Sequence, residues 1–346
     1  MKKVAIIIAN WNGKRFLKNC LNSIFKQTYK HFEVYFVDNG SVDGSSDYVK
    51  NNFQKVKIIQ LDKNYGFAKG NNEGIKEAFS DKSVAYLACL NNDTIVDKNW
   101  LMELVKTAEK DKNIGMVSSK AYFKEGTIQN AGLSFEKALQ INRVGGISIG
   151  YGLKDNNSNL KREIEIFAPG GVAPLYKRKM LEEIFKQDKE FFDEDFFAYA
   201  EDLDLGFRGR LLGWNCFLSP NAKLIHLHSQ TGISASPFKA FFSERNTILT
   251  AIKNLPTIKL INFLFNNLRL KFSYFYKKNE SVDKLNKNIG LLNIIFIMFK
   301  VYFSILFYLI KMLIKRYKIQ ANRRVNNKEI RNWFKIFNRG EVENEE

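Results

Sequence analysis

The chain has 346 residues, 45% hydrophobic and 26% charged with only 5 prolines, which excludes a largely disordered protein and allows a sizeable catalytic core plus an appendage. Its net charge of +18 suggests nucleic acid or an anionic membrane as a partner, but that charge is unevenly spread. Residues 1–235 carry 33 Lys/Arg against 28 Asp/Glu, and residues 236–346 carry 21 against 8, so a near-neutral body is followed by a strongly basic module.

Cys20, Cys89 and Cys216 lie far apart without a C-x-x-C pair, which argues against a disulfide framework or a thiolate zinc site and suits a reducing cytoplasm. The first apolar run, 4–9, is too short for a signal-peptide core and predicts a buried strand. Further runs at 32–37, 56–61 and 84–90 alternate with helical stretches at 14–25, 45–52 and 68–79. This alternation predicts an α/β fold with a mainly parallel sheet flanked by helices. Asp97 is suited to N-cap another helix reaching about 110. Residues 122–176 are irregular and Gly-rich, with Gly145-Gly146 and Pro169-Gly170-Gly171, and read as loops shaping a second pocket. A helix over about 177–185, an acidic aromatic segment over 191–204, a helix over 205–212 and a strand pair near 215–218 and 223–226 complete the body.

In sheets of this kind ligands bind beyond the carboxyl ends of the strands. The residues there are Asn10-Trp11-Asn12, Asp38-Asn39-Gly40-Ser41, Asn64-Tyr65-Gly66-Phe67 and Asn91-Asn92-Asp93. Val37-Asp38-Asn39-Gly40-Ser41, Asn64-Tyr65-Gly66-Phe67-Ala68-Lys69-Gly70-Asn71-Asn72, Leu90-Asn91-Asn92-Asp93-Thr94 and Ala200-Glu201-Asp202-Leu203-Asp204-Leu205-Gly206-Phe207-Arg208 resemble family 2 glycosyltransferases of the GT-A (Rossmann-like) fold, in the right order over roughly residues 3–235. The best resemblance is to the rhamnosyltransferase-like branch that builds bacterial surface polysaccharides.

The resemblance implies a nucleotide-sugar-binding half at 1–120 and an acceptor-binding half at 121–235. Asp38 would accept the imide N–H of uracil or thymine, although Asp-Asn-Gly is also a strong turn signal. Asn10, Asn12, Asn39, Gly66, Lys69, Asn91 and Asn92 would line the donor, and Gly66 and Lys69 equally suit a plain helix start. The family's D-x-D metal motif falls on Asn91-Asn92-Asp93, where the first acid is an amide, leaving Asp93 as the anionic ligand for Mg²⁺ or Mn²⁺. In Ile225-His226-Leu227-His228-Ser229-Gln230-Thr231, the family's spacing selects His226 as a second metal ligand, with Ser229 and Thr231 at the later positions and His228 as the alternative.

Inverting sugar transfer needs a base for the acceptor hydroxyl, and Asp202 matches the family's base. Glu201 and Asp204 would orient the acceptor or favour the positive end of the following helix. Gly170-Gly171 allows either close backbone approach to a sugar or a bulge, and Arg208 and Arg210 either face the diphosphate or pair with the acids upstream.

The apolar stretch 289–314 contains Lys300, which costs about 2.5–3.5 kcal/mol at the centre of a span. On a helical wheel Asn293, Lys300, Ser304, Lys311 and Lys315 fall on one narrow stripe, as do Lys259, Asn262, Asn266, Arg269 and Ser273 in the preceding segment. Residues 236–346 are therefore expected to form basic amphipathic helices on an anionic membrane surface, peripheral or monotopic; a helical pair packed on the body and a true span are the alternatives.

The expected function is inverting transfer of a sugar, rhamnose or another hexose, from a UDP- or dTDP-sugar to a saccharide or polyprenyl-linked acceptor at the cytoplasmic face of the inner membrane. A GT-A-fold protein without catalysis, bound to membrane or nucleic acid, is the alternative. The acids at the strand ends speak against nucleic acid as a partner, and a nucleotidyltransferase would show a fuller basic triphosphate loop than Asn10-Trp11-Asn12-Gly13-Lys14-Arg15.

Overall fold

The computed structural model describes residues 1–135, 137–138, 141–142, 147–156, 159–227, 236–276 and 291–338. Gly145-Gly146, His228, Ser229 and Thr231 lie outside the described residues.

Strands β1 (Lys3–Asn10), β2 (Phe32–Asn39), β3 (Val56–Leu61) and β4 (Val84–Cys89) alternate with helices α1 (Lys14–Phe25), α2 (Ser45–Asn52) and α3 (Gly66–Phe79). β5 (Thr94–Val96), α4 (Trp100–Ala108), β6 (Ile114–Tyr122) and β7 (Ile128–Asn130) follow. Four two-residue strands come next, β8 (Leu133–Ser134), β9 (Lys137–Ala138), β10 (Ile141–Asn142) and β11 (Ile147–Ser148). β12 (Leu175–Lys177), α5 (Arg178–Asp188), α6 (Glu201–Leu211) and β13 (Asn215–His226) close the body. The central sheet runs β3-β2-β1-β4-β12-β6-β13-β5, with β7 on β6. β1 to β4 are parallel, as the alternation predicts, and β12 enters antiparallel between β4 and β6.

β1 explains the layering. Val4, Ile6 and Ile8 pack on one face with Leu17, Leu21 and Trp100, while Ala5 and Ile7 pack on the other with Ile75, Met180 and Leu205. Both faces are covered, so the strand is apolar throughout. Helix α3 crosses this sheet closely: a Cβ on Gly74 would lie 2.4 Å from Ile7 Cγ2.

Three boundaries differ from expectation. Helix α4 is N-capped by Asn99, and Asp97 instead accepts from the Asn99 N–H within the preceding turn. Helix α6 begins at Glu201, so Glu201, Asp202 and Asp204 lie in its first turn. The expected strand pair is one strand, β13, whose register on β6 shifts between Leu218 and Lys223.

The C-terminal helices α7 (Pro237–Asn254), α8 (Thr257–Tyr276), α9 (Leu291–Asn322) and α10 (Asn327–Ile336) do not form a separate module at residue 236. Ile248, Leu249, Val301, Ile305, Met312 and Phe334 share one core with Phe135, Phe167, Leu203 and Phe207 of the body. The division at 235 is therefore a change in charge, not a break in packing.

The cationic stripe of α9 also has a different job from the expected one. Lys311 Nζ lies 2.6 Å from Asp195, and Lys315 Nζ lies within 2.9 Å of Glu190, Asp193 and Asp195. These lysines lock the helix to the body's acidic segment. Opposite the docked face, Phe299, Phe303, Phe307, Ile310 and Tyr317 are each at least 66% exposed.

Candidate active site

Parallel register brings the strand ends together. Asn10 lies opposite Asp38, and Ile7 opposite Cys89, so the turns after β1, β2 and β4 form one edge. Ser41 Oγ accepts from the Asn12 N–H at 2.9 Å and from Asn10 Nδ2 at 3.2 Å, and Asn10 Oδ1 accepts from Asn92 Nδ2 at 2.6 Å. Asn12, at φ 50°, also accepts from the Val42 N–H through its side chain. Asn10, Asn12 and Asn92 thus stitch three loops into a single floor. Asp38 is buried, and its Oδ1 accepts from the Ser41 N–H at 3.0 Å, so the turn-capping role is present.

Asn39 and Gly66 serve the neighbouring turn. Asn39 Oδ1 accepts from the Tyr65 N–H, and its Nδ2 donates to Asn64 Oδ1 and Gly66 O. Both ends of the amide are engaged internally, which departs from the expectation of a nucleotide contact. Gly66, at φ +87°, is needed because a Cβ there would lie 2.4 Å from Phe197 O in the loop entering α6. Lys69 lies over the Tyr65 ring and 3.7 Å from Glu194, so its charge faces the acidic segment.

The candidate metal ligands meet at the end of β4. Asp93 Oδ1 is 3.0 Å from His226 Nε2, and both residues are buried or nearly so. Pairing of β13 with β5 sets this, placing His226 beside Thr94. The other imidazole nitrogen, Nδ1, lies 2.6 Å from Gln129 Oε1 on β7. In the neutral ring that contact puts the proton on Nδ1 and leaves the Nε2 lone pair facing the Asp93 carboxylate. Two electron-rich atoms held together in this way fit a divalent cation between them. Among the described residues no cluster of three His, Cys, Asp or Glu side chains suitable for a metal occurs.

Asp202 sits in the first turn of α6. Its Oδ2 accepts from the Gly171 N–H and its Oδ1 from the Leu203 N–H, both at 2.8 Å. The next residue after Gly171, Val172, accepts at its carbonyl from the Asn91 N–H at 2.9 Å. Two residues of the Gly-rich loop therefore tie the candidate base to the metal motif. A Cβ on Gly171 would lie 3.0 Å from Asp202 Oδ2, so this glycine permits the approach. Burial raises the Asp202 carboxyl above its ordinary range. The neighbouring Glu201 is pushed up to about 8 by burial and by the Asp202 charge, and its Oε2 is buried with no hydrogen-bond partner among the described residues.

Asp204 does not fit the expected acceptor-orienting role. It is fully buried, its Oδ2 binding Lys253 Nζ and Arg208 Nε at 2.9 Å and its Oδ1 accepting from Asn254 Nδ2 at 2.8 Å. Arg208 also donates to Asp188 and the Phe191 carbonyl, and Arg210 to Glu165 and the Phe167 carbonyl, so both arginines hold the body together. Lys253 further binds Asp193, whose carboxyl burial alone would raise, but which the Lys253 and Lys315 ammonium groups hold well below the usual range.

Sequence reasoning missed Gln129, which belongs to no motif, and the α7 residues Arg245, Asn246 and Lys253. Asn246 Nδ2 donates to the carbonyls of Phe196, Ala198 and Tyr199, supporting a loop in which Phe197, Tyr199 and Ala200 all have positive φ. The available signal was polar residues, Arg245, Asn246, Lys253 and Asn254 among them, interleaved with Ile248, Leu249, Ala251 and Ile252.

The family model described as Glycosyl transferase family 2 matches residues 5–185, just over half of the chain. The chain belongs to this family. Among curated relatives of this family 2 member, the O-antigen biosynthesis protein RfbC of Myxococcus xanthus is 27% identical over 241 residues, 66% of this chain and 17% of the relative. The chain spans no more than about half the length of the curated relatives it matches here. Among solved structures, GalNAc-T7 with UDP, GalNAc and Mn²⁺ superposes with a TM-score of 0.55 at 16% identity, covering 73% of this chain and 48% of that one. Residues 1–349 of S. aureus TarS in complex with UDP give 0.51 at 17% identity, covering 95% and 91%. These likenesses establish the GT-A fold expected from the motifs.

Proposed function

We propose that this family 2 member is an inverting glycosyltransferase that moves a sugar from a UDP- or dTDP-sugar to a saccharide acceptor in surface-polysaccharide synthesis. The observation that carries the reading is the tie through Gly171 and Val172, which holds Asp202 one loop away from the Asn91-Asn92-Asp93 turn. Asp93 and His226 would hold Mg²⁺ or Mn²⁺, and the bound ion would supply counter-charge to the departing diphosphate. The names of the relatives support the class: one is an O-antigen biosynthesis protein and one a poly-β-1,6-N-acetyl-D-glucosamine synthase.

In this reading Asp202 takes the proton of the acceptor hydroxyl as its oxygen bonds to the anomeric carbon and the bond from that carbon to the diphosphate breaks. The two backbone N–H groups fix the carboxylate's direction, and burial strengthens it as a base. Asp38, with one oxygen on Ser41, has its second oxygen for a pyrimidine N–H. Glu201 is the remaining acid for acceptor orientation. Rhamnose is one donor sugar that suits the family resemblance.

A polyprenyl-linked acceptor at the cytoplasmic face of the inner membrane accords with the exposed apolar face of α9. By length and composition, Leu292–Asn322 is sufficient to cross a bilayer. Its lysine contacts to the body favour a helix that lies on the membrane with the catalytic body attached.

A thermal-shift panel of nucleotide sugars tests the donor assignment. UDP- or dTDP-sugars with Mn²⁺ should raise the melting temperature and GDP-sugars should not. Absence of any pyrimidine-nucleotide shift would remove the proposal.

A further inference from the structure

A cavity of about 860 Å³ lies between α8, α9 and α10, away from the strand-end site. Four cations line it, Lys259, Arg316, Arg323 and Arg331, and no carboxylate does. Among the described residues none of the four forms an ion pair. Arg316 is fixed by donating to the Ile252 and Leu255 carbonyls at the end of α7, and Lys259 lies over the Phe334 ring. A framework fixed by these contacts thus gathers positive charge with no counter-ion among the described residues. Like charge is felt there: besides burial, Arg331 and Lys335 depress the Lys259 ammonium, and Arg323 depresses Arg316.

The cavity opens onto an apolar surface. Ile258 and Tyr317 belong to its wall and are 74% and 77% exposed. On the same two helices Ile261, Phe265, Ile310 and Ile314 are exposed as well. A soluble anion would use only the cations, whereas an amphiphile uses both features, with its head among the cations and its chain on the apolar face.

We infer that this groove binds the phosphate head of an anionic lipid, with Lys259 and Arg331 as its principal contacts and the lipid chain running over Ile258 and Tyr317. The inference rests on the membrane part of the reading above and deepens it by assigning a discrete site. Arg316 positions the groove, since its donors already hold the α7 carbonyls.

The test is flotation of the full chain with vesicles of phosphatidylcholine alone, with added phosphatidylglycerol, or with added polyprenyl phosphate. The variants are Lys259→Gln/Arg331→Gln and a control of equal charge, Lys300→Gln/Lys318→Gln, whose residues lie outside the groove. The groove variant should bind phosphate-bearing anionic vesicles at least about tenfold more weakly than wild type, at a scale of about fivefold per cation at the lipid surface, and the control should lose clearly less. Preference for polyprenyl phosphate would identify the lipid acceptor as the source of the head, and preference for phosphatidylglycerol would identify the bulk leaflet; either supports the site. Equal losses in both variants would reduce the effect to general surface charge and overturn it, as would unchanged binding by the groove variant. Stabilisation of the wild type by inorganic phosphate to the same degree as by vesicles would overturn a lipid ligand. The pyrimidine-nucleotide shift, measured on the same proteins, keeps the two readings apart: it should persist in the groove variant, and its absence from the wild type would count against the donor site alone.

Discussion

The carboxylate of Asp93 stands 3.0 Å from Nε2 of His226, although 133 residues separate them in sequence. Strand β13 makes this contact possible by lying between β6 and β5 and pairing with both. Gln129 then fixes the ring from its far side.

Metal dependence should follow from this pair. His226→Ala and Asp93→Asn should each abolish the Mn²⁺-dependent part of nucleotide stabilisation. Gln129→Ala should retain it with a metal requirement raised about 10- to 100-fold, since it removes only the partner that orients the imidazole. Titrating Mn²⁺ against nucleotide-induced thermal shift checks both, and a Gln129→Ala curve matching wild type would remove Gln129 from the site.

The three acids of the first turn of α6 have separate jobs. Asp204→Ala should cost about 3–5 kcal/mol by chemical denaturation, because it leaves Lys253 and Arg208 buried with a lost partner. An Asp204 that oriented the acceptor would instead raise acceptor KM with stability unchanged.

Glu201 gives the fold a pH dependence of defined sign. The folded state binds its proton more tightly than the unfolded chain, so this contribution is fully present below pH 4.5 and is lost as pH rises to about 8. Denaturation midpoints of wild type and Glu201→Gln should therefore diverge in favour of the variant between about pH 5 and about pH 8. Parallel curves would show that Glu201 is not held protonated.

The sheet was legible because its strands alternate between two buried faces, as Val4 to Ile8 do in β1. The start of α6 was not, because Ala200 caps it in a left-handed conformation with no side-chain bond to betray it. The stripe carrying Lys311 and Lys315 was visible on a helical wheel, but its partners Asp193 and Asp195 lie over 110 residues upstream and only folding brings them together. Asp38, Asp93 and His226 stood out through motif and position at strand ends, and Asp202 through its motif. The asparagines around them did not declare whether they face a ligand or one another, and Asn10, Asn39 and Asn92 bond to neighbouring loops.

The central claim, that Asp202 is the base of a sugar transfer, is tested most directly by assaying Asp202→Asn for nucleotide release from its donor in the presence of acceptor. Turnover should fall about 10²- to 10⁴-fold while Mn²⁺-dependent nucleotide binding stays near wild type. Undiminished turnover in the variant would contradict it.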